Sequence, residues 1–371
     1  MQNTKPVVPI RSVLIFGGAG FIGSNWAHRL LQNSAARVHI FDNLSRRGVH
    51  HNLEWLQKHA ASRDRLQITV GDIRNASQVQ KAVQFATEIY HFAAQVAVTT
   101  SVEDPQFDFD VNVCGTVNIL EAARRTNRHP FLLFTSTNKV YGNFCSTTPR
   151  GTSLRFDCKA GDCVSETQPL DFHSPYGCSK GAADQYVRDY ARIFNLPTVV
   201  FRMSCIAGPR QFGTEDQGWV AHFLYSALQD NPVTLYGDGR QVRDVLYIQD
   251  LLRAIEKVRA QARKTAGEVY NVGGGLGNSV SLLELMREVE VLTGRRVLYS
   301  HKPVRPGDQP VYVTDYSKLK QHVGWQPSAN VQQILVNIHE WWEQNQSLFV
   351  APGIDDPIAA PQFVHAPGVA V

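Results

Sequence analysis

The sequence predicts an α/β fold: a doubly wound parallel sheet followed by a smaller C-terminal α/β lobe. Two observations predict it. The runs SVLIF (12–16), RVHIF (37–41), LQITV (66–70), EIYHF (88–92), FLLFTS (131–136) and TVVFR (198–202) have the continuous apolar character of strands buried on both faces. Amphipathic segments near 21–33, 51–60, 76–86 and 110–127 separate the first five, which is the rhythm of βαβ units.

Residues 1–202 form the expected first domain. It carries a long turn-rich stretch at 143–172 that reads either as a functional insert or as a flexible loop. Residues 203–349, richer in Gly and Pro turns, make the expected second lobe, with some segments returning to the first domain. A Pro- and Ala-rich tail, 350–371, is expected to be loosely ordered. With 43% hydrophobic and 19% charged residues the composition is that of a globular protein. The net charge of +4 is spread along the chain. It admits anionic small molecules and gives no pointer to nucleic acid. The first ten residues lack an apolar signal-peptide region, and no apolar run reaches the roughly 18 residues of a membrane helix. A cytoplasmic protein is expected. Cys158 and Cys163 have a weak zinc-like spacing without a second ligand pair, so no metal site is expected. The six cysteines read as free thiols of a reducing compartment, with Cys145 able to crosslink to Cys158 or Cys163 on oxidation.

The first strand runs directly into GGAGFIGSNWAHRLL, with glycines at 17, 20 and 23. Gly17 permits a tight turn, Gly20 lets backbone approach a pyrophosphate, and Gly23 permits close helix–strand packing. The second strand ends in an acid, Asp42, placed to accept from a ribose diol and to repel a 2′-phosphate. This is the Rossmann pattern for NAD; Arg46 and Arg47 keep NADP open. After the third strand, Asp72 and Ile73 either flank the adenine or make an ordinary turn.

Downstream, HSPYGCSKGAADQY (173–186) sets Tyr176 and Lys180 four residues apart. Ser174 can cap a helix whose first residue is Pro175, so the phenol and ammonium share one face. The lysine charge and the helix N-terminus are expected to lower the tyrosine pKa toward neutrality, which suits a base that takes a proton from a sugar hydroxyl while hydride leaves for NAD. A third hydrogen-bonding group is expected from FTSTNKVYG (134–142), with Ser136 and Thr137 as candidates.

These motifs resemble the extended short-chain dehydrogenase/reductases, specifically the NAD-dependent nucleotide-sugar epimerases and dehydratases. The resemblance spans about 12–345 and includes GGAGFIG, FDNLS, GDI, HFAAQ, NVCGTVNILEAA, STNKVYG, SPYGCSK, YGDGRQVRDVLY and RPGD. It implies Tyr176, Lys180 and Thr137 as catalytic. It implies Gly17, Gly20, Phe21, Ile22, Gly23, Asp42, Asn43, Ser45, Arg46, Asp72, Ile73, Ala93 and Ala94 beside the cofactor. Asn112 supports the active site or caps a helix. It also implies a homodimer built on the helices near 112–127 and 176–195.

Dehydratases of this type carry acids directly after the catalytic threonine, where this sequence has Asn138 and Lys139. Loss of water is therefore not expected, and a redox-neutral epimerase fits the residues present. Longer stretches, among them FDNLSRRGVHHNLEWL, QPLDFHSPYGCSKGAADQYVRDYARIFNLPTVVFR and RQFGTEDQGWV, resemble the CDP-tyvelose (CDP-paratose) 2-epimerases. That implies inversion at C2 of a CDP-linked hexose; epimerisation at C4 of a UDP-sugar is the alternative. Met203, Cys205 and Ala207 stand where the resemblance implies more polar or aromatic residues, leaving the hexose open. Arginines suit a substrate diphosphate. Arg243 and Arg305 are implied there, and Arg210 reaches the sugar or the phosphate. Asn138, His173, Gln211 and the Gln217–Gly218–Trp219 loop are candidates to face the sugar. His173 reads equally as an uninvolved loop residue, and Tyr236 packs on the base or is a plain strand tyrosine.

Overall fold

The computed structural model describes residues 11–60, 63–143, 150–305 and 307–350. Seven parallel strands form the main sheet: β1 (Ser12–Phe16), β2 (Arg37–Asp42), β3 (Leu66–Val70), β4 (Glu88–His91), β5 (Phe131–Thr137), β6 (Thr198–Met203) and β10 (Val269–Val272). Their spatial order is β10-β6-β5-β4-β1-β2-β3. The order reverses between β1 and β4, and ligands of such sheets bind beyond the strand carboxyl ends at that switch.

Alternation along the strands explains the two covering layers. Val13 and Ile15 of β1 face one apolar cluster. It contains Trp26 and Leu30 of α1 (Phe21–Asn33), Leu56 of α2 (Val49–His59), Leu251 and Ile255 of α9 (Ile248–Ala260) and Leu319 of α12 (Ser317–Val323). Leu14 and Phe16 face the opposite cluster. That one holds Val79 and Val83 of α3 (Ala76–Val83), Ile119 and Leu120 of α6 (Gly115–Arg124), and Ala183 and Val187 of α7 (Pro175–Phe194). Two short helices, α4 (Val98–Glu103) and α5 (Pro105–Phe109), and one π-helical turn, Asp110–Cys114, lead into α6.

The second lobe has its own core around α8 (Trp219–Leu228), α11 (Leu282–Thr293) and α13 (Val331–Gln344). Its small sheet centres on β9 (Val242–Tyr247), paired with β7 (Cys205–Ala207), β11 (Ser279–Ser281) and β13 (Val311–Tyr312). β8 (Val233–Tyr236) pairs with β12 (Tyr299–Lys302). Residues 150–166 of the predicted insert pack onto this lobe. Arg155 bonds the Ser279 hydroxyl at 2.9 Å and Glu284 at 3.2 Å. Val164 N–H donates to the Val313 carbonyl at 2.8 Å, and Arg240 lies 4.4 Å over the Phe156 ring. Cys145 and the tail from 351 lie outside the described residues. No helix among the described residues is long and apolar enough to cross a membrane.

A buried ion pair holds α7 to the sheet. Arg202 of β6 bonds both Asp184 carboxylate oxygens, at 2.8 and 2.9 Å, with 3% and 0% side-chain exposure. Arg202 also donates to the Tyr141 hydroxyl at 3.1 Å, which donates in turn to Asn271 at 2.7 Å. Asp184 lies one helical turn beyond Lys180, so the pair fixes the helix that carries both candidate catalytic groups. Asp184→Ala leaves a buried guanidinium unpaired and is expected to cost about 3–5 kcal/mol in denaturant unfolding. A loss below about 1 kcal/mol would contradict this bracing role.

Candidate active site

The site begins at the glycine turn. Gly17 has φ +75°, and a Cβ there would meet the Ala93 nitrogen at 2.6 Å. A Cβ on Gly23 would meet the Gly17 carbonyl oxygen at 2.2 Å. On Gly20 it would meet only that same oxygen, at 3.2 Å, so the backbone of this turn is open to a close approach. Gly20 caps α1 without a side-chain bond, and the first turn of α1 holds no acid. The helix thus keeps its N-terminal partial charge for an anion. At the end of β2, Asp42 accepts Ala19 N–H and Leu44 N–H, both at 2.9 Å. Burial pushes its carboxyl up and the amides pull it down. These features fit a dinucleotide.

Other expected cofactor residues are distributed around this turn. Phe21, Ile22 and Ala94 line the cleft, and Ala93 N–H donates to the Phe16 carbonyl at 2.9 Å. Asn43 and Ser45 bond each other at 2.8 Å on the exposed rim. Arg46 reaches across to Gln217 at 3.1 Å. Asp72 pairs with Arg74 at 2.7 Å. Ile73 is 5% exposed and packs under Gly115.

Ser174 Oγ accepts Gly177 N–H at 3.0 Å and Pro175 opens α7, which places Tyr176 and Lys180 on the buried face of its first two turns. Tyr176 N–H donates to Ser101 Oγ at 3.1 Å. Asn112, inside the π-helical turn, donates to Gln95 O at 3.1 Å, Asp108 Oδ1 at 3.0 Å and Ser179 Oγ at 3.0 Å, and so braces the start of α7. Thr137 lies close enough to the Tyr176 phenol to lower its pKa, whereas the buried Ser136 hydroxyl has no partner. Both residues line the cleft, and Thr137 is the one that acts on the phenol.

The expected lowering of the Tyr176 pKa does not occur in the protein alone. Burial dominates and pushes the phenol up to about 12, against the Thr137 hydroxyl and the Arg46 charge. Burial also pulls Lys180 down to about 7, with Asp108 and Asp184 opposing it. Lys180 sits 4.1 Å over the Phe134 ring. It is neutral well before the phenol ionises, and so lends no charge when the phenol titrates.

The cleft above this pair has a volume of about 360 Å³. Its far wall belongs to the second lobe. Arg243 of β9 is 7% exposed and bonds Asp308 at 2.7 Å. Arg305 stacks 3.8 Å from the Tyr236 ring centroid and pairs with Asp216 at 3.3 Å. Tyr236 donates to Glu215. Asn138 faces the cleft, as do Met203 and Trp219, whose indole N–H meets Cys205 Sγ at 3.3 Å. Gln211 lines it too, held by the Ile206 carbonyl at 3.0 Å, with its Oε1 unpartnered.

Two expected substrate residues lie elsewhere. The Arg210 guanidinium stacks 3.5 Å from the Trp55 ring centroid and 5.9 Å from that of Trp341, a cation–π clamp outside the cleft. Its burial there lowers its pKa to about 10. His173 is exposed and bonds Asp171 at 2.6 Å, also outside the cleft. Sequence reading missed Asp308, which binds both Arg243 and Lys139, although the RPGD motif holds it three residues after Arg305.

Four similarities to known proteins follow this geometry. The family described as GDP-mannose 4,6 dehydratase matches residues 14–338. The CDP-paratose 2-epimerase of Salmonella typhi is 42% identical over 337 residues, covering 89% of this chain and 98% of that one. Among solved structures, the UDP-glucuronic acid 4-epimerase of Bacillus cereus, in complex with UDP-glucuronic acid and NAD, superposes with a TM-score of 0.77 at 27% identity. It covers 90% of this chain and 99% of its own. The dTDP-glucose 4,6-dehydratase DesIV of Streptomyces venezuelae, with NAD bound, gives a TM-score of 0.78 at 28% identity, covering 90% and 98%. With its glycine turn, its Tyr–Lys helix and these matches over most of its length, the chain belongs to the GDP-mannose 4,6 dehydratase family of nucleotide-sugar epimerases and dehydratases.

Proposed function

We propose that the protein is a redox-neutral epimerase that inverts C2 of a CDP-linked hexose with tightly held NAD. One observation carries this reading: Thr137, Tyr176 and Lys180 face Arg243 and Arg305 across a single cleft. Asn138 and Lys139, which cannot serve as the acids of a dehydratase, follow the threonine. The identity to the Salmonella typhi 2-epimerase supports the CDP-sugar and the carbon. The turn at Gly17, Gly20 and Gly23 would hold the NAD pyrophosphate and Asp42 its ribose diol.

In this reading Tyr176 takes the proton of the sugar hydroxyl and Thr137 holds that oxygen in line. Lys180 holds the nicotinamide ribose. NAD, when bound, supplies the hydride acceptor and the positive charge that the buried phenol otherwise lacks. The protein would then keep the keto-sugar in the cleft while the ring presents its other face. As the hydride is returned to that face, Tyr176 would give its proton back to the oxygen. Arg243 and Arg305 anchor the diphosphate throughout, so the sugar alone moves.

The direct test incubates the protein as isolated with CDP-paratose, without added cofactor, and reads C2 and C4 configuration by NMR. Inversion at C2 is expected. Inversion at C4 of UDP-glucose instead would favour the second reading, which the Bacillus cereus neighbour makes worth including. Tyr176→Phe is expected to lose about 10²–10⁴-fold in turnover while retaining bound NAD; unchanged turnover would sink the base assignment.

We also propose a homodimer through the helices near 112–127 and 176–195, with the short α5 that precedes them at its edge. Phe107 and Phe109, and on α7 Tyr186 and Ile193, are 37–63% exposed, an apolar surface that a second copy would cover. Light scattering at micromolar concentration should give twice the chain mass; a monomer would refute this interface.

A further inference from the structure

Lys139 has no part in the chemistry above, yet it lies beside the redox centre. Its backbone N–H donates to Thr137 Oγ1 at 3.3 Å. Its side chain is 19% exposed and lines the cleft. The ammonium bonds the Gly307 carbonyl at 3.3 Å and Asp308 Oδ1 at 3.2 Å. The same carboxylate oxygen takes Arg243 Nη2 at 2.7 Å. Arg305 is three residues upstream on the same loop. One carboxylate thus holds two cations, one next to the catalytic hydroxyl and one in the diphosphate wall. The pairing leaves one positive charge in excess for an anion arriving between them.

The chemistry of the substrate gives this placement a meaning. In a nucleotide sugar the diphosphate is carried on C1. If C2 is the carbon oxidised, the hydroxyl at Tyr176 and the sugar-proximal phosphate sit on adjacent carbons. If C4 is oxidised, the ring stands between them. A cation two residues from Thr137 suits the first arrangement, in which the phosphate lies beside the reacting hydroxyl.

We propose that Lys139 sets the carbon that reacts. Seated on Asp308, its ammonium binds the sugar-proximal phosphate beside Thr137 and so brings C2 to Tyr176. Arg243, Asp308 and the Gly307 carbonyl orient it from the second lobe, and Thr137 anchors its backbone from β5. The assignment rests on the C2 reading of the function and names the residue that would enforce it.

The test uses the NAD-loaded protein and its Lys139→Met and Lys139→Arg variants. CDP and CMP binding are measured by calorimetry, C2 inversion of CDP-paratose by NMR, and NAD content by mass after denaturation. Lys139→Met is expected to weaken CDP binding about tenfold or more, which is one charge-assisted hydrogen bond. CMP, which lacks the sugar-proximal phosphate, should bind as before, and NAD content should be unchanged. The kcat/KM for C2 inversion should fall by about two orders of magnitude, and Lys139→Arg should recover most of the CDP affinity. Unchanged CDP affinity in Lys139→Met, or equal losses for CDP and CMP, would overturn the assignment. If the wild-type protein fails to invert C2, the functional reading fails first. If it inverts C2 and the variant binds CDP normally, the Lys139 assignment fails alone.

Discussion

Burial of Tyr176 and Lys180 on one face of α7 governs the cleft. Removing water raises the phenol to about 12 and drops the amine to about 7, so burial shifts both groups toward their neutral forms. A phenol next to an ammonium in solution would behave in the opposite way. The helix can hold two such groups because Ser101, Asn112 and Ser179 satisfy the backbone and hydroxyls around them. The Asp184–Arg202 pair locks the next turn to β6. In the proposed function such a phenol would act as a base only when charge is brought to it, which would tie proton transfer to the presence of the cofactor.

A second constraint is the division of labour across the cleft. The first lobe supplies the glycine turn, Thr137 and the α7 pair, all on rigid elements at the carboxyl edge of the sheet. The second lobe supplies Arg243 on a strand and Arg305 on a loop. Asp308 connects the two halves, and the insert stapled through Arg155 and Val164 thickens the far wall. Chemistry on one wall and anchoring on the other suit a reaction in which the nucleotide stays put and the sugar ring turns.

Much of this was legible in the sequence because the signals are local. The strands SVLIF and FLLFTS sit where their apolar runs place them, and Ser174–Pro175 starts α7 as their cap chemistry requires. The glycine spacing reports a turn whose packing distances at Gly17 and Gly23 admit nothing larger. What was not legible depends on distant pairing. Lys139 and Asp308 are 169 residues apart in sequence, and no local pattern joins them. Arg210 reads as a residue that reaches the sugar or the phosphate, whereas Trp55 and Trp341 enclose its guanidinium. His173 adjoins the catalytic helix in sequence but points to Asp171. The direction of the Tyr176 shift was misread for the same reason. Spacing along a helix shows the neighbouring charge, whereas the depth of burial belongs to the assembled fold.

The central claim is that one carbon loses and regains the same hydride within one site. The measurement that tests it most directly follows CDP-paratose deuterated at C2 through turnover in ordinary water, with mass and NMR analysis of the product. The account predicts an inverted C2 that keeps its deuterium, with no label entering or leaving at C4. Loss of the C2 label to solvent would mean that a proton, not a hydride, is removed. It would contradict the roles given to NAD and Tyr176.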